Sequence, residues 1–174
     1  MNRKPDTNAL IDATVEDAKR EAADAIEAMY AWGSELAESP IEKLLLAHLI
    51  HPSTLAEFEA SIDVLRPPSG LVAHTEPPPI RGIWLYPQIT IGDYRVDFLL
   101  RSTLHGKSSH LIVECDGHDF HEKTKEQAAR DKARDRYLVS QGYRVIRYAG
   151  SEIYRDAAQV AYEAICILHS TDVP

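Results

Sequence analysis

A short apolar run that ends in charged residues restricts the fold more than any other part of the chain. Leu111-Ile112-Val113 is followed directly by Glu114, Cys115, Asp116 and Gly117. Branched apolar residues favour a buried β-strand, and the Asp-Gly pair is typical of the turn that ends it. Buried carboxylates are unfavourable unless they have partners, so the tip of this strand is a candidate site for charged chemistry.

The segments around this run predict a mixed α/β domain, because short strand-like stretches alternate with helical ones. Residues Thr103–Ser109, with Gly106 near their centre, would connect two strands as a hairpin. We expect Ser151 to cap the last helix. The predicted strands are residues 83–91, 94–100, 110–115 and 143–148, and the predicted helices among and after them are residues 123–141 and 151–169.

The first part of the chain is predicted to be helical. Residues 8–38 form an acidic amphipathic helix in this interpretation, and Ser39, Pro40 and Glu42 match the start of a second helix. A third helical stretch would run from Ser53 or Thr54 to about Val64. Five prolines between Arg66 and Arg81 then indicate a loop or linker. The predicted domains are an acidic helical extension, residues 1–38, and a second domain, residues 39–174.

Charge and cysteine content exclude several protein classes. The 174 residues carry a net charge of −8, yet residues 123–147 hold eight Lys or Arg against three Asp or Glu. A phosphate-binding face is therefore permitted there. Two cysteines are too few for a disulfide framework or a four-cysteine zinc site. The sequence has no apolar run of the length that a membrane span needs and starts without a signal-peptide pattern, so we expect a cytoplasmic location.

A second carboxylate lies inside a predicted strand and has a predicted partner. If the hairpin loop centres near Gly106, Asp97 faces Glu114 or Asp116, because opposed residue numbers then sum to about 211 or 213. Converging carboxylates repel each other unless a cation neutralises them, and hard oxygen ligands favour Mg²⁺ or Mn²⁺. A slip of one residue would place Asp97 beside Cys115 instead. The alternative role for Asp97 is a salt bridge to Arg95 or Arg147.

Three sequence elements, taken together, resemble a known family. They are the VDF that contains Asp97, the run IVECDGHDFH and the segment RDKARDRYLVSQGYRVIRY. Their order and spacing resemble the very-short-patch-repair-like endonucleases of the restriction-endonuclease-like group, with its PD-(D/E)XK pattern. The resemblance covers roughly residues 39–155. It implies a restriction-endonuclease-like mixed sheet flanked by helices and a metal-dependent DNA endonuclease.

The resemblance also implies roles for individual residues. Asp97 and Glu114 match the two acidic metal ligands, and Asp116 occupies the place of the usual catalytic lysine. Related repair enzymes lack that lysine and have histidines after the strand, which His121 and, less closely, His118 would match. His121 would then act as general acid or base near neutral pH. Glu42 matches an acidic residue that the fold often presents from its first core helix.

Each assignment has a structural alternative. The capping box that begins with Ser39 explains Glu42 by itself. Zinc binding by Cys115, His118 and His121 is disfavoured, because Cys115 points away from Glu114 on a strand. A basic helix binds the DNA backbone in this interpretation, whereas alternating charges at this spacing also suit a solvated helix. Its candidate DNA-binding residues are Arg130, Lys132, Arg134 and Arg136.

Two functions follow from the sequence. The first is a Mg²⁺-dependent, or Mn²⁺-dependent, endodeoxyribonuclease. The alternative is a catalytically inactive nuclease-fold module that binds DNA or a protein. In the alternative, residues 1–63 would serve as a protein-interaction arm. The acidic helix of residues 1–38 could also mask the basic helix as a DNA mimic.

Overall fold

The computed structural model describes residues 7–56, 58, 60–65, 82–104, 107–117 and 125–170. A five-stranded mixed sheet carries helices on both faces, which confirms the predicted α/β fold class. The helices are α1 (Thr7–Gly33), α2 (Pro40–Leu49), α3 (Pro52–Ala56), α4 (Lys125–Ser140) and α5 (Gly150–His169). The strands are β1 (Ser61–Val64), β2 (Gly82–Ile91), β3 (Tyr94–Leu104), β4 (Lys107–Asp116) and β5 (Arg144–Ala149).

The strands lie in the sheet in their sequence order, from β1 to β5. Strands β2, β3 and β4 form an antiparallel meander, whereas β1 and β5 pair in parallel with β2 and β4. The parallel pair β4 and β5 requires a crossover, which contains α4. This topology places the C-terminal tip of β4 beside the N-terminal half of β3.

Two details of the sequence interpretation were wrong. The third predicted helix ends at Ala56, and residues 61–64 form strand β1 against β2. Side chains in β1 alternate between exposed and half-buried, a period of two that suits a strand. The cap of α5 is Ala149 rather than Ser151, because the Glu152 carboxylate accepts a hydrogen bond from the Ala149 N–H at 2.8 Å. Ser151 therefore lies within the first turn.

Two hydrophobic layers hold the helices against the sheet. On one face, Phe98, Leu100 and Val113 pack against α2 and α5. On the other face, Leu138 of α4 packs against Leu99 and Ile112. Burial of these apolar side chains is the main favourable term that fixes both helix layers relative to the strands.

Helix α1 ends against the body of the domain. A Cβ atom added at Gly33 would lie 3.0 Å from the side chain of Leu46, so the two helices α1 and α2 approach closely there. The exposed face of α1 carries ion pairs within the helix, such as Lys19 with Glu16 at 2.8 Å. Within the described ranges, no helix is both long enough and apolar enough to cross a membrane.

Candidate functional site

The register of the β3–β4 hairpin places the predicted carboxylates together. The paired residues run from Phe98 opposite Val113 to Leu104 opposite Lys107, and each pair sums to 211. Continuing this register by one residue sets Asp97 opposite Glu114, as one of the two expected registers requires. An Asp97 carboxylate oxygen accepts a hydrogen bond from the Cys115 N–H at 2.8 Å, which ties the two strands together at this point.

Strands β2 and β3 both lose their regular alternation beside this pair. Tyr86 and Ile89 face the same hydrophobic layer, and so do Val96 and Leu99, although residues three apart in a regular strand face opposite sides. The pairs Pro87–Phe98 and Ile89–Val96 flank a position where Gln88 and Asp97 do not form a regular bridge. Gln88 has φ of 51°, a left-handed conformation that non-glycine residues rarely adopt.

Glu42 approaches the same point from α2. One carboxylate oxygen accepts a hydrogen bond from the Ser39 hydroxyl at 2.6 Å. The same hydroxyl accepts from the Glu42 N–H at 3.3 Å, which confirms Ser39 as the predicted N-cap. The other oxygen accepts from the Glu38 N–H at 2.8 Å and from the Gln88 side-chain amide at 2.7 Å. Glu42 is only 8% exposed. The cap therefore accounts for one oxygen of Glu42, and the other oxygen connects α2 to the sheet beside Asp97.

Glu114 is buried and pairs with a helix residue. Its carboxylate oxygen Oε1 lies 2.6 Å from Nη2 of Arg134 on α4, and the same arginine donates a hydrogen bond to the Arg95 carbonyl at 2.9 Å. Burial raises the pKa of Glu114 to about 7, because desolvation outweighs the hydrogen bond from Arg134. Asp97 adds repulsion in the same direction. Arg134, a predicted DNA-binding residue, is thus placed inside the carboxylate site.

Asp97 is half-buried at the junction of the strands. Burial raises its pKa, the Cys115 N–H opposes that shift, and the negative charge of Glu42 reinforces it. Neither alternative salt bridge uses Asp97, since Arg95 pairs with Glu38 at 2.6 Å and Arg147 pairs with Asp135. The acidic groups of β3, β4 and α2 therefore influence one another directly.

Cys115 lies on the other side of β4 from Glu114. It is partly buried and packs against the layer formed with α2 and α5. Burial is the largest cause of a raised pKa for its thiol, and the neighbouring carboxylates raise it further. A thiol with a raised pKa stays protonated at neutral pH, whereas zinc binding requires the thiolate. His118 and His121 lie outside the described residues.

The remaining predicted residues lie around the rim of the site. Asp116, to which the resemblance assigns the place of the usual catalytic lysine, is exposed at the tip of β4. Arg130, Lys132 and Arg136 are exposed along α4, so their charges are accessible to a partner. These three differ from Arg134, which the ion pair with Glu114 holds toward the sheet.

The donor set suits a hard divalent cation more than a soft one. In the described part of the chain, no three His, Cys, Asp or Glu side chains are arranged to hold a metal as they stand. Magnesium is commonly bound by one or two carboxylates with waters and substrate oxygens, so Asp97 and Glu114 meet its minimum requirement. The buried Oε1 of Gln88 has no hydrogen-bond partner among the described residues, and Gln88 lies opposite Asp97 in the β2–β3 register.

Sequence reasoning missed Gln88 and the inward position of Arg134. Pro87 was an available signal, because proline within a strand indicates an edge or an irregularity. Strand β1 pairs with β2 only as far as Leu85. Pro87 lies beyond this point, so its lack of an N–H removes no hydrogen bond to β1. No comparable signal separated Arg134 from the other basic residues of α4.

A known protein family matches the region of the chain that contains this site. The family model described as REase_MTES_1575, a restriction-endonuclease-like family, matches residues 80–166, half of the chain. This protein belongs to that family. The match spans strands β2 to β5 with α4 and most of α5, so it includes Asp97, Glu114 and Arg134. The restriction-endonuclease-like fold expected from the sequence is thereby confirmed. No curated protein and no solved structure matches the chain significantly.

Proposed function

We propose that this protein is a Mg²⁺-dependent DNA endonuclease, similar to the very-short-patch-repair-like enzymes, with Mn²⁺ as a substitute cation. The observation that carries the proposal is the proximity of Asp97 and Glu114 just beyond the last β3–β4 pair, Phe98–Val113, in a chain that belongs to a restriction-endonuclease-like family. Burial raises the pKa values of both carboxyl groups, and a divalent counter-ion would stabilise their charged forms.

Asp97 and Glu114 would hold Mg²⁺, with Glu42 as an additional negative charge behind them. When bound, Mg²⁺ polarises a phosphodiester oxygen and lowers the pKa of a water molecule. Asp97 is held for this role by the Cys115 N–H, which fixes one carboxylate oxygen. Glu114 would exchange its bond to Arg134 for the cation, and the freed guanidinium would then bind the DNA phosphate.

DNA would approach along α4. Arg130, Lys132 and Arg136 are exposed on this helix, and Lys or Arg contacts to phosphates supply affinity that is independent of sequence. Arg134 of the same helix contacts Glu114, so these side chains lie on a helix that reaches the carboxylates. His121 and Asp116 remain the proposed candidates for proton transfer.

The test is cleavage of duplex, nicked, mismatched and single-stranded DNA with Mg²⁺ or Mn²⁺, against EDTA. Asp97→Asn and Glu114→Gln should abolish cleavage and leave DNA binding intact, because they remove cation ligands and keep the side-chain volumes. Asp93→Asn is the matched control, since Asp93 is exposed in the turn between β2 and β3. Cleavage that persists in EDTA or in Asp97→Asn would reject the proposal.

A second candidate is an inactive nuclease-fold module that binds DNA. The observation that favours it is the Arg134–Glu114 ion pair, which neutralises Glu114 without a metal. For this candidate, no substrate is cleaved under any condition, and DNA binding falls when Arg130 or Arg136 is replaced. The dependence of affinity on salt concentration would also become weaker, since a protein with fewer phosphate contacts releases fewer counter-ions when it binds.

A further inference from the structure

Gln88 combines three unusual features at one position. Its backbone has a positive φ of 51°, and its side-chain Oε1 is buried without a hydrogen-bond partner among the described residues. Its place in the β2–β3 register is opposite Asp97, at the position where the regular pairing is interrupted. A non-glycine residue rarely adopts this conformation, because it strains the backbone. Such strain persists when surrounding contacts fix it, and it concentrates at functional sites.

The orientation of the Gln88 amide follows from its neighbour. The Glu42 carboxylate oxygen at 2.7 Å accepts hydrogen bonds, so the Gln88 amide must turn its Nε2 toward Glu42. The carbonyl oxygen Oε1 is then directed away from Glu42. Because the N–H is anchored by a residue that Ser39 and the Glu38 N–H also hold, the oxygen is fixed in place. A buried, fixed and unsatisfied acceptor requires a donor or a cation.

The charge balance of the site favours a cation as the partner of this oxygen. Asp97, Glu114 and Glu42 are all acidic, and a fourth carboxylate would add to their repulsion. An amide oxygen is a hard ligand without charge, of the kind that Mg²⁺ and Mn²⁺ accept. We propose that Gln88 is the neutral oxygen donor of the cation site, with Oε1 as the ligand and Nε2 anchored on Glu42. This inference rests on the proposed function, because it assumes that Asp97 and Glu114 bind the metal.

The test measures Mn²⁺ binding to the full chain by calorimetry and electron paramagnetic resonance, without DNA. Gln88→Met removes the oxygen and the N–H at similar volume, whereas Gln88→Glu keeps the oxygen and removes the N–H. Gln159→Met is the matched control, since Gln159 is exposed on α5. We expect Gln88→Met to bind Mn²⁺ about 10- to 100-fold more weakly. Gln88→Glu should lose less, because its carboxylate still offers an oxygen to the cation, although it loses the anchor on Glu42 and is repelled by that carboxylate.

Circular dichroism in EDTA checks that each variant folds. If Gln88→Met does not fold, Gln88→Asn replaces it, because asparagine tolerates positive φ and its shorter side chain withdraws the oxygen. Wild-type affinity in the Met or Asn variant would overturn the inference. Equal losses in the Met and Glu variants would also overturn it, since Gln88 would then act only through its bond to Glu42. If neither wild type nor Asp97→Asn binds Mn²⁺, the protein has no such metal site, and the proposed function is rejected together with the inference about Gln88.

Discussion

Replacing Arg134 by methionine should destabilise the protein in a pH-dependent way, because it removes the cation that pairs with Glu114. The two side chains are only 18% and 9% exposed. Loss of one partner from a buried ion pair typically costs about 3–5 kcal/mol when the remaining charge cannot neutralise itself. Glu114 can neutralise itself by binding a proton, since burial already raises its pKa to about 7. The loss should therefore be smaller at low pH.

The direction of the pH dependence follows from the pKa shift. A carboxyl group with a higher pKa in the folded protein stabilises the fold while it is protonated, and this stability is lost as the pH rises from the unfolded pKa to the folded pKa. For Glu114 the interval runs from 4.5 to about 7, which corresponds to roughly 3 kcal/mol. In Arg134→Met the pKa of Glu114 in the folded protein should be higher still, because the arginine no longer stabilises the carboxylate. The variant therefore continues to lose stability above neutral pH. We expect a deficit of about 1 kcal/mol at about pH 6 and about 2 kcal/mol at about pH 8.

Urea unfolding followed by circular dichroism at the two pH values measures this deficit. Arg136→Met is the matched control, because it removes the same charge from an exposed position of the same helix. Combining Arg134→Met with Glu114→Gln should remove the pH dependence of the deficit, since the titrating group is absent. A deficit that is equal at both pH values, or that Arg136→Met reproduces, would refute the reasoning.

Three further predictions test the fold and the acidic helix. Gly142→Ala should lower the free energy of unfolding by about 1–2 kcal/mol through its left-handed backbone. Gly92→Ala should lower it by more, because its new methyl group would also clash with the Tyr137 side chain; equal losses in urea unfolding would contradict this. Leu138→Ala should lower the free energy of unfolding by about 2–5 kcal/mol and Val139→Ala by less than about 0.5 kcal/mol, since Leu138 is buried and Val139 is 60% exposed. Similar urea midpoints for the two variants would contradict the packing of α4 through Leu138. If α1 masks the DNA-binding face, replacing its exposed acids by amides should tighten DNA binding in fluorescence anisotropy, and unchanged affinity would reject masking; the acids are Glu16, Asp17, Glu21 and Asp24.

The sequence contained enough local information for the central hairpin. The loop position near Gly106 left two registers, because a hairpin pairs residues at equal distances from its turn, and the observed pairs follow the register that leads toward Asp97 and Glu114. Strand β1 was not predictable in this way. Its partner β2 begins 18 residues after β1 ends, and the four residues of β1 carry little periodicity of their own. A strand of this kind is specified by its tertiary partner, so local propensity alone does not identify it.

The role of Gln88 and that of Arg134 depend on contacts between distant elements. Gln88 meets Glu42 across 46 positions of the chain, and Arg134 meets Glu114 across 20. Basic residues of α4 repeat at four-residue spacing, and this pattern does not state which row faces the sheet. The apolar partner Leu138 decides it, because its burial fixes the rotation of α4 and turns Arg134 toward Glu114.

The position of Arg134 also bears on the missing lysine. By the resemblance, Asp116 takes the place of the usual lysine, but Arg134 brings a positive charge to Glu114 from the neighbouring helix. An arginine holds a carboxylate or a phosphate with directed hydrogen bonds, yet it stays protonated and cannot accept a proton from water. Arg134 can therefore replace the electrostatic part of a lysine and not its part in proton transfer. A hydrolytic reaction at this site consequently needs a base other than Arg134.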